Sequence, residues 1–192
     1  MINDLKLPNT AVQVPKGLEL ITLGAGCFWC IEAVFQRLKG VKKVVSGYAG
    51  GYVENPTYQA ICTGTTGHAE VIQVYYDPAV ISLSALLEVF WATHDPTTLN
   101  RQGADAGPQY RSVIFYHNPD QEHLAKNIKY QLNDAKVFDD QIVTEITAFT
   151  NFYEAEKEHH DYYNQNAAQP YCQLVIKPKV DKLKKFFAER LK

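Results

Sequence analysis

The chain has 192 residues, 46% of them hydrophobic, which is enough for one domain with a substantial core, and its formal net charge is −2. Cations are scattered except in the tail 177–192, no run approaches the ~20 apolar residues of a membrane span, and the start has no apolar leader, so neither nucleic-acid nor membrane binding is expected. Four cysteines, Cys27, Cys30, Cys62 and Cys172, are too few and too uneven for a secreted disulfide framework, which points to a reducing, cytoplasmic setting.

Residues 1–17 hold Pro8, Pro15 and Gly17 without periodicity and are expected to form a surface arm, with a single domain over 18–192. Leu18 to Leu23 reads as a buried strand. It is followed by the glycine-flanked turn Gly24-Ala25-Gly26-Cys27-Phe28-Trp29-Cys30, and then by Ile31, Val34, Phe35 and Leu38 at helical spacing up to Gly40. Val41 to Tyr48 is a strand, 49–56 a turn-rich loop, and Ala69 to Asp77 a strand closed by Pro78.

Ser82 to His94 carries Leu83, Leu86, Leu87, Phe90 and Trp91 at helical spacing before Asp95-Pro96 stops it. Thr97 to Gln109 is a long irregular run of the length that tends to be functional or mobile. Arg111 to His117 reads as a strand, Pro119 to Lys136 as a helix and Ile142 to Phe149 as a strand. Glu154 to Tyr163 suggests a short helix, followed by polar coil to Cys172 and an amphipathic surface helix through Val180, Leu183, Phe186 and Phe187. The mixture argues an α+β fold, a mostly antiparallel sheet covered by helices.

Cys27 stands where a strand turns into a helix, and a thiol on a first helical turn meets free N–H groups and the positive end of the macrodipole, which lower its pKa. The alternative is a small buried hydrophobe, the usual fate of a free cysteine. The C-x-x-C spacing and the glycines, which allow close approach to the backbone, favour a reactive Cys27. Glu70 shares a strand face with Ile72, Val74 and Tyr76; a carboxyl at the end of that apolar face is either desolvated, and so a general acid, or reaches solvent at the strand end. Tyr58 and Tyr110 lie in loops and can supply neutral donors, though most tyrosines in such a chain pack or face solvent. Asp105 either orients a ligand or forms a turn; Phe28 and Trp29 either pack in the core or line an apolar pocket beside the thiol.

The motifs Gly26-Cys27-Phe28-Trp29, Gly47-Tyr48-Ala49-Gly50-Gly51, Asn55-Pro56-Thr57-Tyr58, Thr66-Gly67-His68-Ala69-Glu70 and Gln109-Tyr110-Arg111-Ser112, in that order, resemble the A-type peptide-methionine sulfoxide reductases from about Leu18 to the C-terminal helix. The resemblance implies a ferredoxin-like plait with extended terminal coils, no cofactor, and reduction of the S epimer of methionine sulfoxide, free or in proteins. By position it implies Cys27 as nucleophile, Glu70 as acid, Tyr58 and Tyr110 as hydrogen-bond donors, Asp105 as substrate-orienting residue, and Phe28 with Trp29 as the methyl pocket. It also implies a sulfenic acid on Cys27, a disulfide from it, and thioredoxin as the external reductant of a monomeric enzyme. Cys30, one helical turn on, is the favoured resolving thiol; Cys172, in Gln169-Pro170-Tyr171-Cys172, matches the C-terminal site other members use, and a polar coil there could swing inward. Cys62 is expected only to pack.

Two rivals use the same cysteines. A thioredoxin-like disulfide oxidoreductase would not need Glu70, but the chain has neither a Gly-Pro between the cysteines nor a βαβ opening before them. A zinc module would need a second ligand pair of matching spacing, and none is present in the sequence.

Overall fold

The computed structural model describes residues 12–192. Residues 12–18 form no helix or strand and end in a turn where Leu18 N–H donates to the Pro15 carbonyl at 3.0 Å. The rest of the expected arm, residues 1–11, lies outside the described residues.

In chain order the elements are β1 (Glu19–Ala25), α1 (Phe28–Phe35), β2 (Val41–Ala49), α2 (Tyr58–Cys62), β3 (Ala69–Tyr76) and α3 (Leu83–Ala92). Two short strands, β4 (Arg101–Gln102) and β5 (Asp105–Ala106), precede β6 (Ser112–Tyr116), α4 (Pro119–Asp134), β7 (Glu145–Ala148), β8 (Phe152–Glu154), α5 (Tyr162–Gln165) and α6 (Lys177–Phe186). The main sheet runs β7-β6-β1-β3-β2-β8, antiparallel at every pairing except β6 with β7. The fold is thus the mixed α+β architecture, mostly antiparallel, that the periodicities suggested. Six consecutive buried residues, Leu20 to Ala25, make β1 a central strand between β3 and β6. On α1 every residue but Trp29 is buried, so the helix that follows Cys27 lies inside the protein.

Local chemistry sets several boundaries. Ser82 caps α3 by accepting from Ala85 N–H, Asn118 caps α4 by accepting from Gln121 N–H ahead of Pro119, and Thr57 caps α2 by accepting from Ala60 N–H. Helix α1 ends at Phe35, short of the expected Leu38, which stays buried in the turn before β2. The run 97–109 contains the β4–β5 hairpin and reaches a 3₁₀ turn at Pro108–Tyr110. The helix expected over 154–163 is divided into the end of β8, a 3₁₀ turn at Lys157–His159, and α5. Strand β8 pairs with β2 opposite Gly47, where a Cβ would collide with the Phe152 ring, so the bare backbone admits the extra strand.

The largest correction concerns the C-terminus. The expected polar coil is helical from Pro170, passes through a π-helical stretch at Cys172–Ile176 and continues into α6. Ile176, Val180, Leu183 and Phe187 are buried in the main core, while Leu174 and Phe186 are exposed. Leu191 bridges to Leu38, so the tail is a packed layer rather than an extended coil.

Candidate active site

The turn from β1 into α1 depends on Gly26, whose φ of +85° is a conformation side chains disfavour and whose missing Cβ leaves room for the Gln102 side chain. The close approach expected at the glycines is therefore made by the protein itself. Cys27 occupies the N-cap of α1, 7% exposed, but its side chain caps no helix N–H. The Phe28 amide donates instead to Glu70 Oε2 at 3.0 Å.

This arrangement overturns the expected lowering of the Cys27 pKa. Burial, then a hydrogen bond with Cys30, then the Glu70 charge push the Cys27 thiol well above the usual cysteine range. Cys30, 2% exposed, moves the other way: its hydrogen bond with Cys27 outweighs burial and, helped by the Lys179 charge, brings it down to about 7. The two thiols ionise as a coupled pair, and its first negative charge falls on Cys30 rather than on Cys27.

Glu70 fulfils the desolvated alternative. It is 1% exposed, and Ile72, Val74 and Tyr76 on the same strand face are fully buried. Burial raises its pKa to about 8, only partly offset by the Phe28 amide, so the carboxyl is predominantly protonated at neutral pH. Tyr58 and Tyr110 are raised by burial first and by the Glu70 charge second, with Cys27 further down the causes of both, so both hydroxyls stay protonated beside these groups. Tyr58 opens α2 rather than lying in a loop, with its N–H donating to Glu156 Oε1 at 2.7 Å. Tyr110 ends the 3₁₀ turn that Arg111 secures by donating to the Pro108 and Gly67 carbonyls.

Phe28 is fully buried among Tyr48, Tyr58 and His159, with ring centroids 5.4–6.5 Å away. Trp29 is half-buried; its Nε1 donates to His159 Nδ1 at 3.2 Å, and Tyr162 stacks on its face at 3.7 Å. Neither ring lines the cavity of about 290 Å³ onto which Cys27 and Cys30 open. That cavity is bounded by Gln102, Asp105, Tyr171 and Lys179. The Tyr171 hydroxyl donates to Asp105 Oδ2 at 2.7 Å and lies 3.8 Å from Cys30 Sγ.

Cys172 is fully buried in the π-helical stretch, its thiol raised by burial and by the charge of Cys30. Cys62, expected to pack, is exposed. Sequence reasoning missed Glu156, His159, Tyr162, Tyr171 and Lys179. Tyr171 adjoins Cys172 and so had a positional clue; Lys179, in a lysine-rich tail, had none. Among the described residues no group of three His, Cys, Asp or Glu side chains gathers to hold a metal ion, and no helix is long and apolar enough to cross a membrane.

The family model described as "Peptide methionine sulfoxide reductase" matches residues 19–191. The chain is 52% identical to the peptide methionine sulfoxide reductase MsrA of Saccharolobus solfataricus over 175 residues, covering 91% of this chain and 98% of that protein. The reduced form of Mxr1 from Saccharomyces cerevisiae superposes with a TM-score of 0.78 at 35% identity, over 85% of this chain and 94% of that one. A further structure, Mxr1 in complex with Trx2, has a TM-score of 0.56 at 28% identity, over 80% and 91% of the two chains. A match that runs the length of the sheet and its helices, across the paired sulfurs and the buried carboxyl alike, means that this chain belongs to the peptide methionine sulfoxide reductase family.

Proposed function

We propose that the chain reduces methionine S-sulfoxide, free or in proteins, with Cys27 as the attacking sulfur, Glu70 as the acid and Cys30 as the resolving thiol. As a family member it is a thiol-dependent oxidoreductase that returns methionine sulfoxide to methionine and so repairs oxidised proteins. The observation that carries the assignment of roles is a fully buried Glu70 held on the amide of Phe28, the residue between Cys27 and the rest of α1, with burial keeping that carboxyl predominantly protonated.

A sulfoxide oxygen leaves poorly until it is protonated. Glu70 supplies that proton, while the Tyr58 and Tyr110 hydroxyls donate hydrogen bonds to the oxygen. As Cys27 attacks the substrate sulfur, the Cys30 thiolate accepts the Cys27 proton, so Cys27 itself need not be ionised in advance. The oxygen ends on Cys27 as a sulfenic acid and methionine departs; Glu70 is left ionised and Cys30 protonated. Return of a proton from Cys30 to Glu70 restores the Cys30 thiolate. Its attack forms the S–S bond and breaks the S–O bond, and hydroxide leaves as water with a proton from Glu70. Cys172 is the alternative resolver, fully buried in the π-helical stretch and near enough to Cys30 for the charge of that sulfur to raise its thiol.

Asp105 orients the substrate, and its carboxylate must exchange Tyr171 for the incoming group. Of the expected methyl pocket, Trp29 supplies the apolar wall at its edge, because Tyr162 covers its face, and the fully buried Phe28 backs that wall from within the core. Thioredoxin reduces the resulting disulfide, a reading supported by the Mxr1–Trx2 complex. Residues 18–192 act as one catalytic domain on a ferredoxin-like plait, supported by the β6-β1-β3-β2 strand order, with 1–17 as an arm. The working form is a cytoplasmic monomer without cofactor. NADPH consumption in a thioredoxin-coupled assay with the separated epimers tests the reading: turnover of the S epimer is expected, and turnover of the R epimer alone overturns it.

A further inference from the structure

Lys179 lies one turn beyond the π-helical stretch, is half-buried, and lines the cavity onto which both Cys27 and Cys30 open. It also lines, together with Cys30, a second and much smaller pocket formed by Ala25, Thr93, His94 and α1. Among the described residues none of the salt bridges involves Lys179, although Lys177, two residues earlier, pairs with Asp181 at the surface. Lys179 also borders a surface pocket with Asp95, Asp139 and Asp140, and in the sulfur-lined cavity it meets Asp105 together with the two cysteines; no ion pair ties its side chain to any of these carboxylates, so its positive charge faces Cys30 as well.

We propose that Lys179 is a positioning residue of the reductase, holding the negative charge of Cys30 on the cavity wall so that this sulfur is the one that resolves the Cys27 sulfenic acid. The inference depends on the reductase reading for its purpose and on the cavity for its geometry. The other groups facing Cys30 act differently. From the β1–α1 turn, a hydrogen bond from the Cys27 thiol favours the Cys30 thiolate most; from the C-terminal segment, the Tyr171 hydroxyl, 3.8 Å away, favours it as an uncharged donor, and Cys172 is a buried thiol. From β5 and β3, Asp105 and Glu70 are acidic and oppose a negative charge on sulfur. From the bend after α3, His94 is held to about 4 by burial and is neutral. Lys179 is thus the one lasting positive charge in this group, and its influence on Cys30 is favourable.

The resolving step it serves balances without a further reactant. The Cys30 thiolate forms a bond to Cys27 sulfur, the S–O bond breaks, and hydroxide takes a proton from Glu70 to leave as water.

The test is a thiolate absorbance titration of the reduced protein in a C62S/C172S background, comparing Lys179, K179M and K179R, with circular dichroism to establish that each variant is folded. K179M is expected to move the first thiolate midpoint upward by roughly half a unit to one unit, and K179R to keep it. In single turnover with methionine S-sulfoxide near pH 6.5, K179M is expected to slow loss of the two thiols by about three- to tenfold, the same shift read as a rate. A folded K179M with an unchanged midpoint and unchanged thiol loss overturns the proposal. Release of methionine by the unsubstituted protein is read in the same experiment and tests the reductase reading separately.

Discussion

At Glu70 the oxygen that accepts the Phe28 amide is something a glutamine can copy, whereas the proton is not. Glu70→Gln is therefore expected to keep the fold and lose turnover by about 10²–10⁴-fold at pH 7. The same substitution should change stability in a direction fixed by the raised pKa. The folded value near 8 lies above the ordinary 4.5, so the carboxyl's contribution is complete below about pH 4.5 and is lost as pH rises through 8, where the fold must carry a buried charge. Glu70→Gln cannot ionise, so its Tm relative to the unsubstituted protein should rise between pH 6 and pH 9, by the equivalent of a few kcal/mol at most. A Tm difference that stays flat with pH, or a variant with full turnover, contradicts the buried-acid role.

At the scale of the elements, the turn that presents Cys27 is held by two separable effects at Gly26. Alanine there must adopt φ near +85°, and its Cβ would meet Gln102 Cβ and Cγ at 2.7 Å. Gly103, on the hairpin facing the same cavity, has a φ of +59° and nothing within 4 Å of its would-be Cβ, so it isolates the backbone effect. Gly103→Ala is expected to cost about 1 kcal/mol and Gly26→Ala about 2–4 kcal/mol, measured by denaturant unfolding. Equal costs would mean that Gln102 yields freely and does not hold the turn. Elements with a strong local period were legible beforehand: β1, α3 and α4 follow apolar spacing, with Ser82 and Asn118 as caps. Strand β8 was not, because its three residues are fixed by pairing with β2 across more than a hundred positions. The π-helical stretch had no local signal either, since its turn is set by burial of Cys172 and Ile176 against the core.

Across the whole molecule the site is assembled from both ends of the chain. Cys27 and Glu70 could be read early, one from a glycine-flanked motif and the other from alternation along β3. The ionisation of the cysteine pair could not, because the helix amide that was expected to lower Cys27 is taken by Glu70, and the charge that favours Cys30 comes from Lys179 on α6. The C-terminal layer is therefore structural as well as local to the site, and removing it should not simply uncover Cys27. Ile176, Val180, Leu183 and Phe187 are buried, and at about 1.5–3 kcal/mol each their loss amounts to about 6–12 kcal/mol, against a total stability of about 5–15 kcal/mol for a typical domain. Deletion also removes the Arg190 carbonyl that accepts from Lys39 N–H and the Lys192 amide that donates to the Arg37 carbonyl, opening the turn between α1 and β2. A chain ending at Gln169 is thus expected to lose cooperative thermal unfolding and to bind a hydrophobic dye. If it instead unfolds cooperatively and reduces methionine S-sulfoxide at an undiminished rate, the tail is a detachable cover, and neither Tyr171 nor Lys179 has a place in the chemistry.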